Sequence, residues 1–240
     1  MVFRNLAMAF IATLGATTLQ AQGSMSSLPA GSFTGTGIPT ESVVVSGTQN
    51  GDVTLGLSAH TRCGTNSLSL STCDMPGPVT NDGERTFFAL AGGNTNVPDV
   101  QGGSTFSGRL ARWNFAMFIG GTNLASYNFK FWYDFNPAVG NALTGNWSWR
   151  GFGFGTSQNL GFGYLATGGT VGGITVTAPG GQFDPNAVGQ YAFRLEAYDA
   201  QDNRVAYSAM NVSTVPEPST YALMAAGLAA LAVLRRRRTA

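Results

Sequence analysis

The first candidates for chemistry are the side chains that could act as a nucleophile, a general base or a metal ligand. A Ser-His-Asp or Cys-His arrangement would have to use His60, because it is the only histidine in the chain. His60 alternates out of register with the apolar Leu55, Leu57 and Ala59, so we expect it to face water. The sequence favours a surface histidine over a catalytic one, and we expect no enzymatic activity.

Carboxylates are the second set of candidates. Glu196, Asp199 and Asp202 lie close together in the sequence and, with Asn203, could supply paired carboxylates or oxygen ligands for calcium. Turn chemistry already accounts for Asp202 and Asn203. We predict no metal site and no cofactor, and we extend this interpretation to the polar side chains around Pro137, which are Asp134, Asn136 and Asn141.

Cys63 and Cys73 lie in a polar segment that is rich in Ser and Thr. In an exported protein an even number of cysteines this close together favours a disulfide. Such a bond would restrict the unfolded chain and could stabilise the fold by about 3 kcal/mol. The alternative is a zinc site, which would need carboxylates beside His60 as its other ligands. We predict the disulfide.

Residues 145–173 are rich in glycine and aromatic side chains. Trp147 and Trp149 share one face, and so do Phe152 and Phe154. These four rings could form an exposed platform for sugar rings or for a partner surface. They could equally fill the interior of a sheet protein, with glycines that allow bulges and close packing. We favour the interior, because an exported β-domain needs aromatic bulk for its core.

The elements that carry these side chains have the period of two that a half-buried strand requires, and the body has no sustained 3.6-residue period. The predicted strands are residues 42–46, 53–60, 84–90, 110–120, 124–135, 190–200 and 204–212. We expect hairpins at Asn50-Gly51, at the 120–123 link and at the 201–203 turn. The expected fold is all-β, an antiparallel β-sandwich of immunoglobulin-like or jelly-roll style.

The two ends of the chain have a different composition from the body. Arg4, the apolar residues 6–14 and the Leu19-Gln20-Ala21 exit are typical of a secretory signal peptide that is cleaved after Ala21. The end segments carry five of the 13 basic and one of the 12 acidic residues. Residues 23–214 are therefore acidic overall, with three more acidic than basic residues, which argues against a nucleic-acid partner.

Residues 215–240 contain three features in a fixed order. Pro216, Glu217 and Pro218 come first, an apolar run over residues 221–234 follows, and Arg235, Arg236, Arg237 and Arg238 come last. The run is shorter than the roughly 20 residues of a full membrane span, and the arginines would stop transfer on the cytoplasmic side. This segment resembles the PEP-CTERM sorting signal of Gram-negative bacteria, whose Pro-Glu-Pro an exosortase recognises.

The resemblance implies where the protein goes. The secretion machinery would export the chain, and the hydrophobic helix would hold it in the inner membrane through residues 221–234. The exosortase would then remove the tail, and the body would reach the outer envelope, the cell surface or the extracellular matrix. Proteins with this signal are associated with exopolysaccharide production, so the resemblance also implies a role in a biofilm matrix.

The sequence divides the chain into a signal peptide with its helix at 1–21, a Gly/Ser/Thr-rich leader with little to pack at 22–40, a β-sandwich domain at 41–214 and the sorting signal at 215–240. Three hypotheses for the body remain. It is a structural or adhesive matrix component, a carbohydrate-binding module that uses the aromatic platform, or a polysaccharide-active enzyme. We favour the first, with polysaccharide as a further candidate partner.

Overall fold

The computed structural model describes residues 22–33, 38–62, 78–93, 110–216, 223–229 and 235. Across these residues the regular secondary structure of the body is almost all strand, and the exceptions are a short helix α1 at Gly163–Thr167 and a 3-10 helix at Leu124–Ser126. The prediction of an all-β fold is confirmed. The predicted signal helix, residues 1–21, lies outside the described residues.

The strands, numbered in chain order, form two sheets. In spatial order the smaller sheet contains β1 Ser24–Ser26, β2 Val43–Gly47, β3 Val53–Thr61, β6 Trp113–Gly121 and β9 Gly155–Gln158. The larger sheet contains β10 Gly169–Val171, β11 Ile174–Thr177, β8 Gly145–Arg150, β7 Asn128–Tyr133, β12 Gly189–Tyr198, β13 Arg204–Val215, β5 Thr86–Leu90 and β4 Thr80–Asn81.

The core lies between the two sheets and is rich in aromatic rings. Phe115 of the smaller sheet contacts Phe131 and Phe193 of the larger one, with ring centroids 5.1 and 5.0 Å apart. Trp113 lies 5.7 Å from Tyr191 in the same way. All five side chains are almost fully buried. Alternate residues of each strand supply these rings, because successive side chains point to opposite faces of a sheet.

Two of the predicted hairpins are present. β12 and β13 pair along their whole length, and the turn between them is fixed by Asp199, whose Oδ1 accepts hydrogen bonds from the backbone N–H groups of Gln201 and Asn203, both 2.9 Å away. β2 and β3 also pair, with Gly51 at φ +76° in their turn. Both predictions relied on turn residues that favour tight reversals.

The hairpin predicted at the 120–123 link is wrong. β6 pairs with β3 and β9 in the smaller sheet, whereas β7 pairs with β8 and β12 in the larger sheet. The link therefore crosses from one sheet to the other. Alternation predicts which face of a strand is buried, and the link is as short as a hairpin loop, so neither property identifies the partner strand.

The expectation of an antiparallel fold fails at one pair. β5, which corresponds to the predicted strand at 84–90, runs parallel to β13, from Thr86 opposite Asn211 to Leu90 opposite Val215. The period of the side chains is the same in both strand directions, so the sequence pattern does not distinguish them.

The Gly/Ser/Thr-rich leader packs more than its composition suggested. Its residues 24–26 form β1, which pairs with β2. Leu28 and Phe33 are buried in a small cluster with Val43 and Ala116, on the side of the smaller sheet away from the main core. Two large apolar side chains are enough to fix a segment that otherwise has little to bury.

Of the predicted hydrophobic helix at 221–234, residues 223–229 are helical and exposed, and the others lie outside the described residues. Over the part of the chain that the structure describes, no helix combines the length and the apolar character needed to cross a membrane.

Candidate functional sites

The tryptophans of the proposed platform lie in the core. Trp147 and Trp149 on β8 are only 4% and 5% exposed. Trp147 lies edge-on to Phe131 at 5.8 Å, and Trp149 stacks on Phe129 at 5.6 Å. An indole at this depth offers no face to a sugar, so the platform hypothesis is wrong for both residues and the interior interpretation holds.

The two phenylalanines of the same segment lie at the margin of this core. Phe152 is 37% exposed and lies 5.9 Å from the half-buried Phe154, which in turn lies 5.2 Å from Trp149. The Trp149 indole N–H also donates a 3.0 Å hydrogen bond to the carbonyl of Phe152. These contacts fold the segment after β8 back onto its own strand, and only one ring of the four is exposed.

His60 points away from the main core, as the alternation of residues 55–60 predicted, but its side chain is half-buried and not fully exposed to solvent. Its Nδ1 lies 3.1 Å from the carbonyl of Thr61, which can only accept, so Nδ1 carries the proton in the neutral ring. Its Nε2 then accepts from the hydroxyl of Ser157 at 2.8 Å, and Asn114 donates to that hydroxyl. Burial lowers the pKa of His60 to about 4.

The His60 arrangement holds a neutral imidazole that reaches from β3 across β6 to Ser157 on β9. A triad needs a base whose far nitrogen is oriented by a carboxylate, whereas here a backbone carbonyl takes that place. The nearby charge is the Arg62 guanidinium, which lowers the imidazole pKa further. The group is thus suited to joining β3 to β9.

Among the charged side chains that the structure describes, Glu196 is the most enclosed, at 1% exposure. Its Oε1 lies 3.0 Å from Nε of Arg194 and 2.8 Å from a guanidinium nitrogen of Arg204. Its Oε2 accepts from the indole N–H of Trp132 at 2.6 Å and from the hydroxyl of Tyr198 at 2.8 Å. Burial is the largest cause that raises the pKa of Tyr198 to about 12, and the hydrogen bond from its hydroxyl to Glu196 is the second.

Three hydrogen-bond donors, from Trp132, Tyr198 and Arg204, engage the Glu196 carboxylate, and the Arg194 guanidinium adds an ion pair without hydrogen-bond geometry. A metal ion or a substrate proton would have to displace one of them. The paired-carboxylate hypothesis for Glu196 and Asp199 is therefore not supported by the geometry, because Asp199 lies beyond the strand end and binds its own turn. Hydrogen bonds from Asn203 hold the pKa of the Asp199 carboxyl below its ordinary value.

The polar residues near Pro137 also organise a loop. Oδ1 of Asp134 accepts from the backbone N–H groups of Phe135 and Asn136, at 2.6 and 3.1 Å. Its Oδ2 accepts from the side-chain amide of Asn141 at 2.9 Å. Within the described ranges, no three His, Cys, Asp or Glu side chains come together as metal ligands would.

The outer face of the larger sheet carries a set of residues that the sequence analysis missed. On β7, β12 and β13 three cations lie over three half-buried rings, Arg194 over Trp132 at 5.5 Å, Lys130 over Tyr198 at 5.0 Å and Arg204 over Tyr207 at 4.5 Å. We call these six residues the cation–ring face. One signal in the sequence could have found it, because Trp132 occupies the otherwise polar side of β7.

A shallow groove of about 700 Å³ adjoins the cation–ring face. Arg194 and Tyr207 belong to both, and the groove continues across the small side chains Ala192 and Ala209 to Asp82. Small residues on β12 and β13 thus leave a depression between taller charged neighbours. Rings, cations and acceptors around a groove are the groups that bind hydroxyl-rich or anionic ligands.

The predicted sorting segment begins directly at the end of the sheet. The carbonyl of Val215, the last residue of β13, still accepts a hydrogen bond from the N–H of Ala91 at 2.8 Å. Pro216 follows and is half-buried, and it has no N–H with which to extend the ladder. Arg235 is exposed. The other predicted residues here, Glu217, Pro218 and residues 236–238, lie outside the described residues.

Cys63 and Cys73 also lie outside the described residues, so their disulfide stays a prediction.

Comparison with known proteins identifies the C-terminal segment. A family model described as "PEP-CTERM protein-sorting motif" matches residues 214–238. A search of the curated proteins found no match to the chain. The matched segment starts at Thr214, at the end of β13, and continues through the arginine cluster, so it coincides with the boundary between sheet and tail. The chain is thus a PEP-CTERM protein, with its sorting motif at residues 214–238.

Proposed function

We propose that the protein is a non-enzymatic structural or adhesive component of the extracellular matrix. Its motif implies export, sorting from a membrane-anchored state, processing by an exosortase and delivery to the surface. The observation that carries the proposal is the junction at Val215, where the sheet ends and the motif continues with Pro216. Removal of the tail would leave every strand of the body in place.

In this proposal each part of the tail has one role. The apolar residues 221–234 hold the exported chain in the inner membrane, and the arginines at 235–238 keep its end in the cytoplasm. Pro216 and Pro218 keep the recognised segment out of the helix, because proline disfavours helical geometry in the residue before it. The exosortase then acts near Glu217, and the body is released or transferred to an envelope component.

The engaged state of the candidate catalytic groups supports a structural role for the body. Three hydrogen-bond donors and the Arg194 ion pair engage Glu196, and His60 is held neutral by its contacts with Thr61 and Ser157. The facing aromatic rings further support a β-sandwich as the form of the two-sheet body. Such a domain would resist unfolding outside the cell without any cofactor.

A substitution at the motif tests the sorting step. The Glu217→Ala variant should accumulate as an unprocessed, membrane-held form, because the exosortase would lose the charged residue of its recognition sequence. Immunoblots of surface and membrane fractions would measure this. The matched control is Glu41→Ala, which removes an exposed acid from the body and should be processed normally. Normal processing of Glu217→Ala would refute the sorting proposal.

The cation–ring face favours a second candidate function, the binding of a polysaccharide. The relevant observation is the groove beside Tyr207, where a ring and the Arg194 cation meet. Hydroxyl-rich sugar rings stack on aromatic faces, and guanidinium groups bind acidic sugars. In this proposal the polysaccharide would bind the outer face of the larger sheet, opposite the buried Trp147 and Trp149.

Glycan-array binding would test this second function. Binding by the wild-type protein should be lost in Tyr207→Ala and retained in Phe152→Ala, which removes the exposed ring of the original platform. Thermal unfolding of both variants should confirm that the fold persists. Binding that depends on Phe152 but not on Tyr207 would contradict the outer-face site, and no binding to any glycan would remove this function.

A further inference from the structure

We propose that the anchored protein lies against the lipid bilayer through the end of the body from which its tail leaves, with two exposed loop tips in the membrane interface. The proposal rests on the proposed function, because it describes the chain before exosortase processing. It concerns the tips Ala138-Val139-Gly140 and Ala187-Val188-Gly189, which share an Ala-Val-Gly sequence. We call them the first and second valine tips.

Both valine tips lie beside the tail exit. Gly189 pairs with Thr214, the residue before Val215, and the Thr214 hydroxyl donates to the carbonyl of Ala187 at 3.0 Å. This holds the second tip next to the end of β13. The first tip follows Pro137, whose carbonyl accepts a 2.8 Å hydrogen bond from the N–H of Gln190. Hydrogen bonds therefore connect the tips and the tail exit.

The valine tips expose apolar side chains that the core does not need. Val139 is 80% exposed and Val188 is 51% exposed, and Val215 between the sheet and the tail is 39% exposed. The surrounding chain carries no charge over residues 135–145, 185–193 and 211–216. Uncharged loops with protruding apolar side chains enter a bilayer interface at low cost, because no ion must be desolvated.

The length of the tail keeps this end close to the membrane. Six residues, 217–222, separate Pro216 from the helical residues 223–229. Six residues span at most about 20 Å in any conformation. The twelve-residue strand β13 alone is about 40 Å long. The body is thus longer than its tether, so the end that carries the tail exit is the end that meets the lipid.

The opposite end of the body provides an internal control. β11 and β13 run in the same direction, so the start of β11 lies at the far end of the larger sheet. There Val171, at the tip of the β10–β11 hairpin, is 74% exposed. This valine matches Val139 in type and exposure but lies away from the tail. The turn that contains Asp199 and Asp202 lies at the same end of the sheet as Val171.

Photo-crosslinking of the full-length anchored chain tests the proposal. The chain is produced without an exosortase and placed in vesicles of phosphatidylethanolamine and phosphatidylglycerol. Benzoylphenylalanine replaces Val139, Val188 or Val171 in separate samples, and mass spectrometry detects lipid adducts after irradiation. We expect lipid adducts at positions 139 and 188. At position 171 the amount of lipid adduct should not exceed background.

Other outcomes separate the two proposals. Equal lipid adducts at all three positions, or none at 139 and 188 in vesicle-bound protein, would overturn the docking but leave the anchoring intact. In native membranes, positions 139 and 188 could instead crosslink only to a protein and form no lipid adduct. The surface would then bind a protein partner, and the lipid proposal would be wrong. A chain that does not float with the vesicles would overturn both the anchoring and the docking.

Discussion

Trp147 and Trp149 occupy equivalent positions on β8, yet their indole N–H groups differ. Trp149 donates to the Phe152 carbonyl, whereas Nε1 of Trp147 is buried and has no hydrogen-bond partner in the described part of the chain. Burying an unpaired donor costs free energy, and removing it recovers part of that cost. Comparing substitutions at the two positions therefore separates the contribution of indole packing to stability from the contribution of the indole hydrogen bond.

We predict that Trp149→Phe lowers the free energy of unfolding more than Trp147→Phe, by about 1 kcal/mol. Both changes remove similar ring volume, but only the first breaks a hydrogen bond and leaves a carbonyl without its donor. Urea unfolding followed by the fluorescence of the remaining tryptophans would measure the difference. A larger loss for Trp147→Phe would contradict the assignment of these hydrogen bonds.

His60 makes stability depend on pH. Its pKa in the folded protein is about 4, below the ordinary 6.5, because burial disfavours the imidazolium. The unfolded chain therefore binds this proton first as the pH falls. The contribution of His60 is fully present above pH 6.5 and is lost as the pH falls from about 6.5 towards about 4.

We expect this loss to amount to about 1–3 kcal/mol, a range reduced for the partial exposure of the ring. The His60→Gln variant keeps polar atoms near Ser157 but does not titrate, so its stability should change less over the same pH window. Carboxylates titrate equally in both proteins and cancel in the difference. Identical pH profiles for the two proteins would show that His60 is not buried as described.

The link between β6 and β7 requires a glycine. Gly121 has φ +146°, and a Cβ atom built on it would lie 1.9 Å from the carbonyl oxygen of Asp52. That same oxygen accepts a 3.1 Å hydrogen bond from the N–H of Thr122. The close approach of these two backbones turns the chain out of the smaller sheet, and the 3-10 helix Leu124–Ser126 then leads it to the larger one.

Replacing this glycine should destabilise the fold through that clash. We predict that Gly121→Ala lowers the free energy of unfolding by about 2–4 kcal/mol. The control is Gly140→Ala, where φ is +75° but no atom lies within 4 Å of the added Cβ, so about 1 kcal/mol is expected from the backbone alone. Urea unfolding of both variants measures this. Equal losses would contradict a role for the close approach.

Features that depend on a single strand or turn, such as its buried face, were predictable from the sequence. The pairing of distant strands was not. Alternation correctly placed Phe129 and Phe131 inside, and the turn residues after Asp199 identified the β12–β13 hairpin. The partner of β6 and the direction of β5 depend on contacts between distant segments, which a period of two does not encode. Trp132 on the polar side of β7 was a local signal of an unusual face, but for the same reason the contacts of Trp132, Arg194 and Arg204 with Glu196 were not predictable.

For the molecule as a whole, the tail and the body differ in charge and carry different functional features. The arginine cluster makes the chain formally +1 at pH 7, although residues 23–214 are acidic overall. The tail carries the sorting motif, and the body carries the sealed core, the cation–ring face and the valine tips. Processing at Pro216 to Pro218 would remove the basic cluster and leave the sheet complete, because β13 ends at Val215.

The C-terminus of the surface-localised protein provides the most direct test of this account. Mass spectrometry of protein recovered from the cell surface should find peptides up to the end of β13 and a new C-terminus close to Pro216, Glu217 and Pro218. No peptide from residues 223–240 should accompany them. Surface protein that retains residues 223–240 at full intact mass would contradict the account.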